Sequence, residues 1–260
     1  ESSMGSTGSD GRKKRLRSVG LWGTTLFLTP SMAFVAGTSA LAGDRKGKVW
    51  WGASRTWASG IMRSAGMTDL IVKGVERIYD GQPFILMANH QSHLDPPSII
   101  LSSDRPIGFL TKQELKRVPV FGWALERTGH VFIDRKDKDK SHASIDLAAR
   151  RIAEGRCVLV FPEGTRTLNE DLLPFKKGGF VLAVKAQVPI VPVGVAGTRE
   201  IFPSQSSYVV GKSPVAIVYG EPIPTAGHTL ETKDGLMDQV RTSILGLRQE
   251  ARQLVATAGR

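Results

Sequence analysis

Residues 84–95 read F-I-L-M-A-N-H-Q-S-H-L-D. The apolar run from Phe84 to Ala88 stops abruptly at Asn89, and a cluster of polar, proton-active side chains follows. Such a run predicts a buried strand, and the residues just past a strand's end are where open α/β sheets hold their chemistry. His90 and Asp95 stand five residues apart. On a regular helix that spacing turns them about 140° away from each other, so the pair can meet only across a turn. Pro96 and Pro97 favour one, because the residue before a proline avoids the α region and proline suits a helix's first turn. An aspartate bonded to one imidazole nitrogen leaves the other free to take a hydroxyl proton. Two other readings compete. Asp95 could simply cap a helix beside a solvated His90, or His90, His93 and Asp95 could ligate a metal, although nothing downstream resembles the rest of a metal site.

Outward from this strand, strands and helices alternate. Residues 70–75 predict a strand before it, across a turn at Asp80-Gly81-Gln82-Pro83. After it come a short helix at 96–102, a strand at 107–111 leading into Lys112, a helix near 120–127, and a strand at 130–133 leading into Asp134 and Arg135. Residues 138–154 carry an amphipathic helix pattern, with Ile145, Ala148, Ala149 and Ile152 apolar and Gly155 as the stop. The apolar run 157–161 predicts another strand, and it too breaks off into reactive side chains, Pro162-Glu163-Gly164-Thr165-Arg166. A helix at 178–187, strands at 188–195 and 215–219, and a closing helix at 236–255 complete the series. Pro189 and Pro192 suggest that the 188–195 strand lies at a sheet edge or is irregular. The alternation specifies an α/β fold, a mixed, largely parallel sheet flanked by helices.

Residues 1–17 are Ser/Gly-rich and then basic, with Arg12, Lys13, Lys14, Arg15 and Arg17, and are expected to form a disordered basic tail. No charge lies between Arg17 and Asp44. As a helix, residues 19–42 would reach about 36 Å, enough to cross a bilayer, though Thr, Ser and Gly dilute the segment and Pro30 interrupts it. A signal peptide is the rival, since the start is basic and Ala40-Leu41-Ala42 resembles a cleavage site. Next, Arg45, Lys46 and Lys48 lead into Trp50, Trp51 and Trp57. Tryptophans and arginines on an amphipathic helix suit a lipid interface, with packing against the core as the alternative. Residues 18–67 therefore read as a membrane-associated helical hairpin on the cytoplasmic face of the membrane, and residues 68–260 as the α/β domain.

Lys and Arg number 35 against 24 Asp and Glu, a net charge of +11. That balance favours an anionic partner: nucleic acid, a membrane surface or a phosphorylated substrate. Aromatic residues are 7% of the chain and do not alternate with the basic ones, which argues against a platform for single-stranded nucleic acid. Cys157 is the single cysteine, so an internal disulfide framework and Cys-rich zinc sites are excluded. Its place in an apolar run marks it as a small buried hydrophobe.

Glu163 and Arg166 follow a buried strand, as His90 does, so both groups can converge at one edge of the sheet. Arg166 offers a forked donor matched to phosphate, and Gly164 lets backbone approach a ligand closely. Lys112 and Arg135 also follow strand-like runs. Each cation alone would read as solvated surface charge. Together, the strand-ending sites point to a phosphate pocket beside a base.

In order along the chain, four blocks resemble the motifs of the glycerolipid acyltransferase family, and within it the bacterial type of 1-acyl-sn-glycerol-3-phosphate acyltransferase. They are Asn89-His90 with Asp95, Gly129-His130-Val131-Phe132-Ile133-Asp134-Arg135, Phe161-Pro162-Glu163-Gly164-Thr165-Arg166, and Val188-Pro189-Ile190-Val191-Pro192-Val193. Lys112-Gln113-Glu114-Leu115 is similar to a Lys-x-Glu-Leu element seen between the first two. The resemblance covers about residues 69–219, and the joint order and spacing are more specific than any single block. Thr167 stands where many members carry Ser. The amino-terminal hairpin resembles the two-helix membrane motif of bacterial members, without diagnostic residues.

The resemblance implies transfer of an acyl group from acyl-CoA or acyl-carrier protein to the free sn-2 hydroxyl of lysophosphatidic acid, giving phosphatidic acid for phospholipid biosynthesis. It makes His90 the general base and Asp95 its orienting partner. Lys112 and Arg166 would hold the acceptor's phosphate, with Arg135 in support. Glu163 would position the glycerol portion, within a substrate loop that includes Gly164 and Thr165. A thioester is already activated, so a base acting on the alcohol suffices, without covalent enzyme intermediate, metal or cofactor. Ser92 lies too near His90 in sequence to favour a nucleophilic triad. Other readings are a glycerol-3-phosphate or other lysolipid acyltransferase, and a non-catalytic membrane protein that binds anionic lipid. The intact His90, Asp95, Glu163 and Arg166 speak against the last.

Overall fold

The computed structural model describes residues 6–44, 47–78, 81–119, 121–128, 130–133, 138–169 and 171–260. In chain order it begins with helices α1 (Ser6–Leu41) and α2 (Lys48–Ala65), then strand β1 (Met67–Lys73) and strand β2 (Ile85–Ala88). Helix α3 (Asp95–Ser102), β3 (Ile107–Lys112), α4 (Phe121–Arg127), β4 (Val131–Ile133) and α5 (Lys138–Ala153) follow. The chain closes through β5 (Cys157–Val160), α6 (Gly178–Ala186), β6 (Ile190–Ala196), α7 (Thr198–Ile201), β7 (Ser213–Tyr219) and α8 (Lys233–Ala258).

The seven strands form one sheet in the order β1-β7-β6-β2-β5-β3-β4. Every pairing is parallel except β6 with β7. This is the mixed, largely parallel sheet expected. All four residues of β2 are buried, because helices cover both faces. Leu86 and Ala88 pack toward Ile61, Met62 and Ile99 of α2 and α3, whereas Ile85 and Met87 pack toward Ile152, Phe180 and Ile244 of α5, α6 and α8. A strand buried on both faces reads as a continuous apolar run, which is why residues 84–88 show no alternation. Helix α8 lies so close to β6 that a Cβ on Gly194 would stand 2.3 Å from the carbonyl carbon of Leu247.

The β6 prolines depart from expectation. β6 sits between β7 and β2, in the middle of the sheet, instead of at an edge. Pro189 precedes the strand, and its carbonyl accepts from Ile85 N–H. Pro192 turns its missing donor toward β7 at the level where β7 has ended at Tyr219; its carbonyl still accepts from Gly220 N–H at 2.8 Å. The absent N–H therefore costs the ladder nothing on the β2 side. β1 also stops earlier than expected, at Lys73, because Gly74 takes φ 76° and starts a 3-10 turn.

The amino-terminal segment forms the expected two-helix hairpin, with α1 packed along α2 and against α4. Asp44 sets the turn: its carboxylate accepts from the backbone N–H groups of Lys48, Val49 and Trp50 at 2.8–3.2 Å, satisfying donors that a helix start leaves free. Two expectations change. The basic residues assigned to a disordered tail belong to α1, which starts at Ser6; residues 1–5 lie outside the described residues, as do Arg45 and Lys46. The α2 tryptophans point inward. Trp50 and Trp51 are buried, Trp51 Nε1–H donates to Ser103 O, and Trp57 Nε1–H donates to Thr29 Oγ1 on α1. The exposed apolar face belongs instead to α1, where Val19, Leu26, Phe27, Phe34 and Leu41 lie open.

Candidate active site

β2 ends at Ala88, and the next residue anchors the loop. Asn89 Nδ2–H donates to Val195 O at 3.0 Å and its Oδ1 accepts from Val195 N–H at 2.8 Å, fastening the start of the loop to β6. The chain then turns so that Asp95, the first residue of α3, faces back toward His90. Asp95 Oδ2 accepts from His90 Nδ1 at 2.8 Å and from the N–H groups of Gln91 and Ser92 at 2.7 and 2.8 Å, while Oδ1 accepts from Thr198 Oγ1–H at 2.6 Å. Asp95 is 0% exposed and His90 17%. With that many donors the carboxylate is an acceptor only, so Nδ1 carries the imidazole proton and Nε2 is left able to accept one. The pair does meet across a turn.

The β5 loop closes over the same place. Phe161 stacks on His90 with ring centroids 3.9 Å apart. Gly164 takes φ 73°, a left-handed conformation glycine adopts without strain, and turns the chain back after Glu163. Thr167 N–H donates to His90 O at 2.8 Å. Glu163 accepts His90 N–H on Oε1 at 2.7 Å and Leu173 N–H on Oε2 at 2.8 Å. Burial raises its pKa, opposed by those two amide bonds. At 1% exposure, with both oxygens taken by backbone, Glu163 braces the loop behind His90 and is not placed to position glycerol as expected. There it joins the ends of two adjacent strands, β2 and β5.

Arg166 reaches the solvent side of the loop and lies against the ring of His93. His93 packs in turn on Phe202, with centroids 5.6 Å apart. Its pKa is held below the ordinary imidazole value by burial first, then by Arg166 and His90, with Asp95 opposing. Thr165 is exposed on the same loop. Lys112 ends β3, where it pairs with Ile133. Arg135 lies outside the described residues. Ser92 is buried, donating Oγ–H to Phe202 O at 2.6 Å and accepting from Leu94 N–H, so its hydroxyl is fully engaged in fixing the turn. Among the described residues no group of three or more His, Cys, Asp or Glu side chains is arranged to hold a metal ion.

On the other side of His90 an apolar cavity of about 460 Å³ opens between the hairpin and the sheet. Its walls include Ala33 and Ala36 of α1, Trp50 of α2, Ile107 of β3 and Leu125 of α4, and it reaches His90 and Phe161. That volume lies in the range of small-molecule sites. His130 closes one wall, stacked on Phe109 and near Trp50, and burial pushes its pKa down to about 4. Sequence reasoning missed Thr198 and the cavity. Thr198 belongs to no motif and meets Asp95 only through the fold, while the cavity needs the hairpin docked on the sheet.

A family model described as Acyltransferase matches residues 69–196. A 1-acyl-sn-glycerol-3-phosphate acyltransferase of Chlamydomonas reinhardtii is 35% identical over 163 residues, covering 63% of this chain but 49% of its own length. The human 1-acyl-sn-glycerol-3-phosphate acyltransferase beta is 33% identical over 193 residues, covering 72% of this chain and 69% of its own. The chain thus spans about half the length of the algal relative and just over two thirds of the human one. In three dimensions it resembles the crystal structure of the 1-acyl-sn-glycerophosphate (LPA) acyltransferase PlsC of Thermotoga maritima, with a TM-score of 0.76 and 26% identity over 92% of this chain and 98% of that one. Sequence, topology and the His90–Asp95 loop agree, and the chain belongs to the acyltransferase family of the 1-acyl-sn-glycerol-3-phosphate acyltransferases.

Proposed function

We propose that the chain transfers an acyl group from acyl-CoA or acyl-carrier protein to the sn-2 hydroxyl of lysophosphatidic acid, forming phosphatidic acid. One observation carries this: His90, held through Nδ1 by Asp95, lines an apolar cavity, and Arg166 lies against His93 three residues further along the same loop. The donor's acyl chain occupies the cavity, and Arg166, with Lys112 and Arg135 in support, takes the acceptor's phosphate. His90 Nε2 removes the hydroxyl proton as the oxygen attacks the thioester carbonyl carbon. The C–S bond breaks, and the imidazolium returns its proton to the leaving thiolate. Asp95 holds the ring and stabilises the imidazolium. Neither metal nor redox cofactor enters this chemistry, because the thioester supplies the activation.

Acceptor and product are both bilayer lipids, so the reaction belongs at a membrane surface. The apolar stripe of α1 and the basic residues at its start suit an interfacial helix on an anionic leaflet, at the cytoplasmic face. The deciding experiment offers one labelled acyl donor with lysophosphatidic acid or glycerol 3-phosphate to wild type and to His90→Ala. Labelled phosphatidic acid from wild type, and loss of at least a thousandfold in kcat in the folded variant, is expected. Product only from glycerol 3-phosphate would reassign the acceptor. Near-normal turnover by His90→Ala would end the general-base mechanism.

A further inference from the structure

Beside the base, two groups capable of positive charge face each other. His93 is open to solvent on one side and covered on the other, where Phe202 backs its ring and Arg166 lies against it. Asp95, the anion near it, is buried behind His90 with its oxygens already bonded. Among the described residues neither group is ion-paired to a carboxylate, and two such groups held together form a site that an anion completes. The sn-2 hydroxyl that His90 would deprotonate sits on the carbon next to the one bearing the phosphoester, so the phosphate of a bound acceptor must fall within one glycerol unit of His90. His93 follows three residues along the same loop, and Arg166 lies against it.

We propose that His93 is the second phosphate ligand, and that it gives the site its preference for a terminal phosphate monoester over a phosphodiester headgroup. This rests on the acyltransferase reading above. The chemistry separates the two acceptors. A monoester has a second ionisation near pH 6, carries about −1.5 to −2 charges at neutral pH and presents three free oxygens. A diester carries a single charge and two free oxygens. The Arg166 fork engages two oxygens in either case. What remains on the monoester, one oxygen and the extra charge, is what an imidazolium N–H recognises. Partial burial and Arg166 favour neutral His93; a bound dianion reverses the balance, so binding the monoester takes up a proton.

The test uses the full chain, one labelled acyl donor, and two acceptors: a 1-acylglycerol 3-phosphate and the matching 1-acylglycerol phosphoglycerol. Losing a hydrogen bond to a charged group corresponds to roughly 10-fold or more in affinity. His93→Ala should therefore raise the monoester KM about tenfold or more with kcat within about twofold, and leave the diester's kcat/KM unchanged. Wild-type monoester KM should rise as pH is raised through neutrality, and His93→Gln, which keeps a neutral donor, should flatten that rise. An unchanged monoester KM, or equal losses on both acceptors, overturns the proposal; so does a fall in kcat alone, which would make His93 a positioning residue for His90. Calorimetry with a lysophosphatidate lacking its sn-2 hydroxyl separates this from the wider reading. If wild type acylates neither acceptor, the acyl-transfer reading fails, yet tenfold weaker binding of this probe to His93→Ala still supports the phosphate site and equal binding still removes it.

Discussion

Asp95 accepts from a side chain on each side, His90 and Thr198, and from two backbone amides, so its orientation is over-determined. That fixes the His90 tautomer before any substrate arrives. Both the helix-start reading and the orienter reading of Asp95 describe the same residue: it opens α3, yet its side chain serves the preceding loop. His130 sits in a different electrostatic position, buried on the cavity wall with its pKa lowered to about 4. The group is neutral in the fold and titrates at about 6.5 when unfolded. Between those values the unfolded chain binds the extra proton, so this contribution is fully present above about pH 6.5 and is lost as pH falls toward 4. The full window corresponds to on the order of 3 kcal/mol. Denaturant unfolding at pH 7 and pH 4.5, for wild type and His130→Phe, should show the acid loss smaller in the variant; equal losses would put the acid sensitivity elsewhere. At this scale the meeting of His90 and Asp95 was legible because they follow an apolar run that ends in proton-active residues, with prolines that favour a turn. The role of Glu163 was not, since its partner His90 N–H is 73 residues away in sequence and a carboxylate in a motif looks the same whether it faces ligand or backbone.

The sheet strands were legible as elements because β2, β5, β6 and β7 are buried throughout, largely apolar and bounded by polar or turn residues. Their order was less so. Pro192 argued for an edge, and only the early end of β7 shows how a central strand tolerates it. Helix periodicity identifies a face but not what covers it, which explains the tryptophans of α2. They face the core, and the exposed apolar stripe runs along α1. Leu26, Phe27 and Phe34 are 79%, 74% and 62% exposed, so the domain gains little from them. Burial of one such side chain in lipid is worth about 1.5–3 kcal/mol, or roughly tenfold or more in partitioning. Phe27→Ser and Phe34→Ser should each weaken binding to anionic vesicles by about that factor while leaving the unfolding midpoint in solution within about 2 °C. Unchanged vesicle binding in the double variant would remove α1 as the membrane-facing element. A midpoint that drops sharply would show that the stripe packs on protein instead.

At the scale of the whole molecule, the site exists only where the hairpin meets the sheet. His90 comes from the sheet, but the cavity beside it is walled by α1 and α2 on one side and β3 and α4 on the other. Reading the strands alone finds His90 and Arg166, and misses the volume beside His90. A finite apolar volume also limits the chain it accepts. Each buried methylene is worth about 0.8 kcal/mol, close to fourfold in kcat/KM, as long as there is room for it. Ala33 and Ala36 present only methyl groups to the cavity and are buried, so a larger side chain there takes up space a substrate would otherwise fill. Ala36→Phe should lower kcat/KM for long-chain donors at least tenfold relative to short ones, with the shortest donors turned over at near wild-type kcat because His90 and Asp95 are untouched. The measurement is a donor series of increasing chain length at fixed acceptor, with thermal unfolding run alongside to confirm that the hairpin remains docked. A uniform fall across all chain lengths in a stable variant would mean that the acyl chain lies elsewhere, and that the cavity is only an imperfection in the packing of α1 on the sheet.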